Sequence, residues 1–232
     1  MTDHISTQAV TELLADLVRE HETTDVFSRL VSDCREQLDA GAAALLLSTP
    51  HRGLELLSAT SHRAAELELY QAQQRSGPCV DVVRTGEPLA AVGADEIVSR
   101  WPDVGQAIVS AGFLAVHAFP MIWRAHALGG LNLFSRSPEL LQQPSLVTAQ
   151  NFADLATLAL VQPGELTEAE LDERVDAALG GRVVIEQAKG VLAQTLGLPM
   201  AEAYELLVER ALQDGATVTE TARGVIRDVH RR

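Results

Sequence analysis

Apolar residues recur at helical spacing twice near the N-terminus, first at Val10, Leu13, Leu14, Leu17 and Val18, then at Phe27, Leu30, Val31, Cys34 and Leu38. The second set follows Thr23-Thr24-Asp25, a capping signal, so two helices are predicted. Ala42 to Thr49 is an unbroken apolar run, and Pro50-His51-Arg52-Gly53 is turn-like before Leu54 to Thr60, a combination that predicts a strand hairpin. A second hairpin is predicted from Leu114 to Pro120 and Ala127 to Phe134, which flank Arg124-Ala125-His126. Between the hairpins lie a helix over 61–74 and a loop-rich stretch from Arg75 to Gly112 that can fold over a pocket. The alanine- and leucine-rich run from Leu146 to Val161 predicts a helix packed on a sheet face, and Gln162-Pro163-Gly164 stops it.

No strand-like run follows that breaker, so the chain divides into a sheet-containing module, 1–162, and an all-helical module, 163–232. Thr167-Glu168-Ala169-Glu170 fits a capping box, and Leu171, Val175, Ala178, Ile185, Leu192 and Leu196 form a near-heptad stripe interrupted at Arg182 and Lys189. One long helix is expected, with Gly180-Gly181 as a point of bending. Pro199 opens a second helix with Ala203, Leu207 and Ala211 inward, and Asp214-Gly215 ends it. Thr217-Val218-Thr219-Glu220 is another capping box, for a last helix with Val218, Ala222, Val225, Ile226 and Val229 on its apolar face. Arg223, Arg227 and Arg231 sit at i, i+4 and i+8 on its outward side.

Composition narrows the function. The absence of a long apolar run, and an N-terminus without a basic segment leading into an apolar one, predict neither a membrane span nor a signal peptide, hence a cytoplasmic protein. Two cysteines in 232 residues suit a reducing compartment. The seven histidines fall in no metal-binding grouping, and neither a nucleophile elbow nor a phosphate or dinucleotide loop occurs, so no metal, cofactor or catalytic centre is expected. A formal net charge of −14 opposes general attraction to nucleic acid, and residues 165–232 still carry 13 acidic against 8 basic side chains. Any nucleic-acid contact must therefore use a local basic face.

The run Arg182-Val-Val-Ile-Glu-Gln-Ala-Lys-Gly-Val-Leu192, followed by Ala203-Tyr204, Leu206-Leu207 and Ala222, resembles the ANTAR family over about 60 residues, Glu165 to Ile226. That resemblance implies a three-helix bundle whose dimers bind paired RNA stem-loops and prevent a terminator from forming. Arg182, Lys189 and Gly190, with Arg223 and Arg227, are then the RNA-binding candidates. The other reading of Arg182 and Lys189 is a solvated face on a dimerising helix, and of the arginine stripe a solubility device. Gly190 leaves backbone open to close packing or to a close ligand.

Upstream, Ser76-Gly-Pro-Cys-Val-Asp81, Thr85-Gly-Glu-Pro88, Arg100-Trp-Pro102, Phe119-Pro120 and Leu128-Gly-Gly-Leu-Asn-Leu-Phe134 resemble a GAF domain. This implies an antiparallel sheet with flanking helices that senses a small molecule. The fold class expected of the whole is α+β. Cys79, Trp101 and Phe119 are pocket candidates, with apolar packing as their other reading, and Gly129-Gly130 reads as close packing or a bulge. Together the two resemblances imply a homodimeric, signal-responsive RNA-binding antiterminator of the actinobacterial type. Two other functions are open: a DNA-binding regulator that uses Gly215 to Ile226 as the second helix of a helix-turn-helix, and a GAF-type methionine sulfoxide reductase, for which Cys34 and Cys79 are few thiols.

Overall fold

A computed structural model describes residues 23–49, 52–161 and 168–229. The helix expected over 10–18, the tip of the first turn at Pro50-His51, the cap at Thr167, the breaker at 162–164 and Arg231 lie outside the described residues. In chain order the elements are α1 (Thr23–Gln37), β1 (Ala42–Thr49), β2 (Gly53–Ala59), α2 (His62–Gln74), α3 (Pro78–Thr85), β3 (Leu89–Val92), α4 (Ala94–Arg100), α5 (Pro102–Ser110), β4 (Ala115–Trp123), β5 (His126–Ser135), α6 (Gln143–Val161), α7 (Glu168–Leu196), α8 (Met200–Asp214) and α9 (Val218–Val229).

The five strands form one antiparallel sheet in the order β2-β1-β5-β4-β3. Both faces of its centre are covered, which explains the unbroken apolar run of β1. Ala43, Leu45 and Leu47 face α1 and α6, whereas Ala42, Ala44 and Leu46 face the side of α2 to α5. Central β5 needs its two glycines for close approach. A Cβ at Gly129 would stand 2.0 Å from the Leu46 carbonyl oxygen, and one at Gly130 would stand 2.8 Å from Val82 and 3.0 Å from Cys79 Sγ.

The stretch from Arg75 to Gly112 is not the loop its prolines and glycines suggest. It holds three short helices and a strand, because Pro78 and Pro102 occupy first-turn positions where a missing N–H costs nothing. Gly77, Gly86 and Gly93 mark the helix ends with positive φ values.

Helix α7 runs unbroken through Gly180-Gly181 for 29 residues and belongs to two cores. Val175, Ala178 and Leu179 complete the core of the sheet module beside Phe27, Leu30 and Phe152. About two turns on, Ile185, Ala188 and Leu192 pack with Ala203, Leu207 and Ala222 of α8 and α9. The apolar stripe of this helix is therefore shared between modules, and Leu196 at its end is exposed.

The helical module is docked on the sheet module through α1. Thr24 Oγ1 donates to the Ala178 carbonyl at 3.1 Å, and a Cβ at Gly181 would lie 1.9 Å from that hydroxyl oxygen and 2.7 Å from Thr24 Cβ. Gly180, by contrast, has nothing near. Beside Thr24 in the same first turn of α1, Asp25 Oδ1 accepts from the Thr219 N–H at 3.2 Å and so caps α9. The predicted capping box of α9 forms as well: Glu220 N–H donates to Thr217 Oγ1 at 3.1 Å and Thr217 N–H to Glu220 Oε2 at 3.0 Å.

The two adjacent glycines should respond in opposite directions. Gly181→Ala should destabilise by about 1–3 kcal/mol through overpacking against Thr24, while Gly180→Ala should stabilise by up to ~1 kcal/mol through helix propensity. Thermal unfolding followed by circular dichroism reads both, and a stabilising Gly181→Ala would refute the close helix crossing.

Candidate functional site

Arg182 and Lys189, which lie seven positions apart on α7, both turn toward the sheet module. Lys189 is the one lysine of the chain, and it is buried, at 2% exposure. Its ammonium is met on several sides: Glu186 Oε2 at 2.6 Å, His62 Nδ1 at 3.3 Å, and the Tyr204 ring with its centroid 6.0 Å away. His62 in turn places Nε2 3.4 Å from Glu66 Oε1. With the ammonium as donor, Nδ1 is the acceptor of this pair and Nε2 is the ring nitrogen turned to Glu66.

Arg182 Nη1 donates to the Leu56 carbonyl at 3.2 Å, and Nη2 lies 3.9 Å from Glu186 Oε1. Burial lowers its pKa, opposed by the charges of Glu186 and Glu55. Tyr204 OH donates to the Ala59 carbonyl at 3.0 Å, and burial, helped by Glu186, pushes the phenol up to about 12. Three side chains of the helical module thus bind the second half of β2 and the start of α2. Ser61 holds that start in place, since it accepts the Ala64 N–H as the N-cap of α2.

The contact is not filled completely. A cavity of about 30 Å³ lies among Ser28, Ser58, Ser61, His62, Lys189 and Tyr204. Beside it a groove of about 620 Å³ runs between Arg52, Glu55, Asp176, Gly180, Arg182 and Glu186. Arg52 and Asp176 pair across the groove, but both are over half exposed, so the pair adds little to docking.

The remaining RNA-binding candidates lie elsewhere. Arg223 and Arg227 are exposed on α9, and a Cβ at Gly190 would meet nothing within 4 Å, so its face of α7 is open. The first turn of α9, which a helix-turn-helix would insert into a DNA groove, is instead turned against α1, with Thr219 buried.

Cys79, Trp101 and Phe119 are not brought together. Cys79 and Trp101 lie in separate apolar clusters on the α2 to α5 side, and Phe119 lies on the opposite face of the sheet under α1 and α6. Trp101 Nε1 donates to Asp81 Oδ2 at 2.9 Å. Burial, and then the charge of Glu68, raises the pKa of Cys79; burial, and then Asp33, raises that of Cys34. No cluster of three metal-ligating side chains occurs among the described residues.

Sequence reasoning missed a buried polar network on the inner face of α2. Glu68, fully enclosed, accepts from Asn132 Nδ2 at 2.8 and 3.0 Å and from Gln71 Nε2, while Gln71 Oε1 accepts the Cys79 N–H at 3.0 Å. Asn132 Oδ1 is left without a partner. The available signal was Asn132 at the middle of an apolar strand. Burial lifts the Glu68 carboxyl from 4.5 to about 8, against the lowering effect of its bonds from Asn132 and Gln71.

A family model described as the GAF domain matches residues 22–160, and one described as the ANTAR domain matches residues 173–226. Among solved structures, the GAF domain of an Acinetobacter phosphoenolpyruvate-protein phosphotransferase is 9% identical with a TM-score of 0.51, covering 69% of this chain and 96% of that one. The phycocyanobilin-bound GAF domain of a cyanobacterial phytochrome is 12% identical with a TM-score of 0.51, covering 67% and 93%. At these identities the likeness is one of fold. No curated protein matches the chain.

Two measurements check the site. The folded state holds a proton on Glu68 that the unfolded chain releases, so this group contributes stability fully below pH about 4.5 and loses it as pH rises toward about 8, with a slope of at most ~1.4 kcal/mol per pH unit. Glu68→Gln keeps one oxygen that can accept from both Asn132 and Gln71, as Oε2 does, and removes that loss, so it should gain on the native protein across this window in urea unfolding; a pH-independent difference would refute the buried carboxyl. Cys34 and Cys79 should also resist an aromatic disulfide reagent at pH 8 until the chain unfolds, and rapid reaction of Cys79 would restore it as a sensor candidate.

Proposed function

This chain belongs to the GAF domain family, and from that membership and the ANTAR match over 173–226 we propose that it is a cytoplasmic, signal-responsive RNA-binding regulator of transcription antitermination. The observation that carries the reading is that Arg182 and Lys189, both within the ANTAR-matched helix α7, are held by the GAF module itself. The state of the sensor is thus tied to the cations that would meet RNA phosphates. Arg223 and Arg227 on the exposed side of α9, and the open backbone at Gly190, extend the same footprint. Arginine suits such a surface because its planar fork both pairs with phosphate and stacks on unpaired bases.

The domains divide functionally at 162/163, with 1–162 sensing and 163–232 binding RNA, although the first turns of α7 are packed in the sensory core. A homodimer presents two output modules to paired stem-loops. Its formation through α6 is supported by Val147 and Leu158, exposed at 56% and 50% and placed with Asn151 and Asp154 on one stripe of that helix. No helix among the described residues is long and apolar enough to cross a membrane. The packing of the first turn of α9 on α1 weighs against a DNA-reading role.

A gel-shift at low salt with an RNA of two adjacent hairpins tests the proposal. Retardation should weaken steeply with added salt and, in the junction-loosened Gly181→Ala background where Lys189 is free to meet RNA, by about tenfold or more on adding Lys189→Ala. Failure of both the intact protein and the junction-loosened Gly181→Ala form to retard such RNA would overturn RNA binding, and a preference for duplex DNA in competition would replace it.

A further inference from the structure

The contacts that bury the cations of α7 come from a compact part of the sensory module: the carbonyls of Leu56 in the middle and Ala59 at the end of β2, and the His62 ring on the first turn of α2. We infer that this corner is an autoinhibitory latch, which holds the output module in a docked state that shields Arg182 and Lys189 from RNA; the inference rests on the RNA-binding reading above. The Lys189 side chain is only 3% exposed, so a phosphate reaches its ammonium only when α7 and α8 leave this corner.

The latch is built to open. Among the described residues, apart from the Thr24 crossing, the cap on α9, the Arg174 bond to the Val161 carbonyl and the exposed Arg52–Asp176 pair, its specific bonds are the three to Leu56, Ala59 and His62. Each such bond shifts the docking equilibrium by a factor of roughly 2 to 10, a range that a ligand with different affinity for the two states can reverse. Opening does not strand a charge, because Lys189 and Arg182 gain water and keep Glu186, which travels with them on α7.

Helix α2 is the lever. Its first residue, His62, holds Lys189, and its inner face carries Glu68 and Gln71 of the buried network that reaches Asn132 on β5 and the amide of Cys79 on α3. A change in that network which tilts or slides α2 displaces His62 and the adjoining Ala59 carbonyl together. The signal thereby reaches the output module across the junction, whatever the route along the chain through α6.

Because Lys189 is the only lysine of the 232-residue chain, amine acylation of that chain reports the latch directly, with the N-terminal amine distinguished by peptide mass. Treated with an acetyl N-hydroxysuccinimide ester, the native protein should acylate Lys189 about tenfold or more slower than the urea-unfolded chain. His62→Ala, which lies outside the output module, should speed acylation by about fivefold and raise affinity for the two-hairpin RNA by a similar factor. Gly181→Ala should do the same by wedging α1 from α7. Acylation of the native protein as fast as of the unfolded chain would overturn the latch. Faster acylation in both variants with no gain over a measurable native RNA affinity would overturn its inhibitory role. Faster acylation with no RNA bound by any form would leave the docked latch standing and overturn the RNA-binding reading instead.

Discussion

A cation withdrawn from water has to be met by partners on the spot, and the burial of Lys189 imposes that demand on the whole junction. Glu186, one turn earlier on the same helix, supplies the counter-charge, but it is more than a third exposed and cannot exclude water alone. The seal comes from His62 on α2 and Tyr204 on α8, so Lys189 is satisfied and dry only when both modules are in register. Thr24 against Gly181 sets the distance at which this register is reached, and Asp25 at the first turn of α9 sets the rotation.

Sharing α7 between two cores makes that register a property of the whole molecule. Val175, Ala178 and Leu179 complete the core built on α1 and α6, whereas Ile185, Ala188 and Leu192 close the three-helix bundle. Between the two sets the helix carries Gly181, which crosses Thr24, and Arg182, which binds the Leu56 carbonyl. A continuous helix transmits a displacement at one end to the other, since its packed surroundings admit discrete arrangements more readily than gradual deformation. The junction is polar where the two cores are apolar, which fits it for repeated opening.

The interior of the sensory module has a matching feature on the other face of α2. A fully enclosed carboxyl, two amides and a backbone N–H are an expensive set to bury, and Asn132 Oδ1 is left unpartnered within it. Such a network is worth less to stability than apolar packing, and its place on the helix that carries His62 links the sensor's interior to the junction. Cys79 takes part through its amide and not its thiol, which burial renders inert.

Much of this architecture was legible from local pattern alone. The hairpins, the helix capped at Ser61, the capping box at Thr217 and the apolar face of the output bundle all follow from periodicity and end signals, because each depends on neighbours within a few residues. The prolines of 75–112 misled, since proline both breaks and begins helices and only the surrounding packing decides which. The partners of Lys189 and Arg182 were beyond reach for a different reason: Lys189 and His62 are 127 positions apart, and Arg182 and Leu56 are 126 apart. A cationic residue on a helix reads as solvated until something is packed over it, just as Cys79, Trp101 and Phe119 read as one pocket until the sheet sets Phe119 on its other face and Cys79 and Trp101 fall in separate clusters. Local pattern along the chain fixes most of its helices and strands and the placing of its charges. Packing in three dimensions sets which of those charges meet water, because burial comes from contacts between segments that local pattern cannot pair.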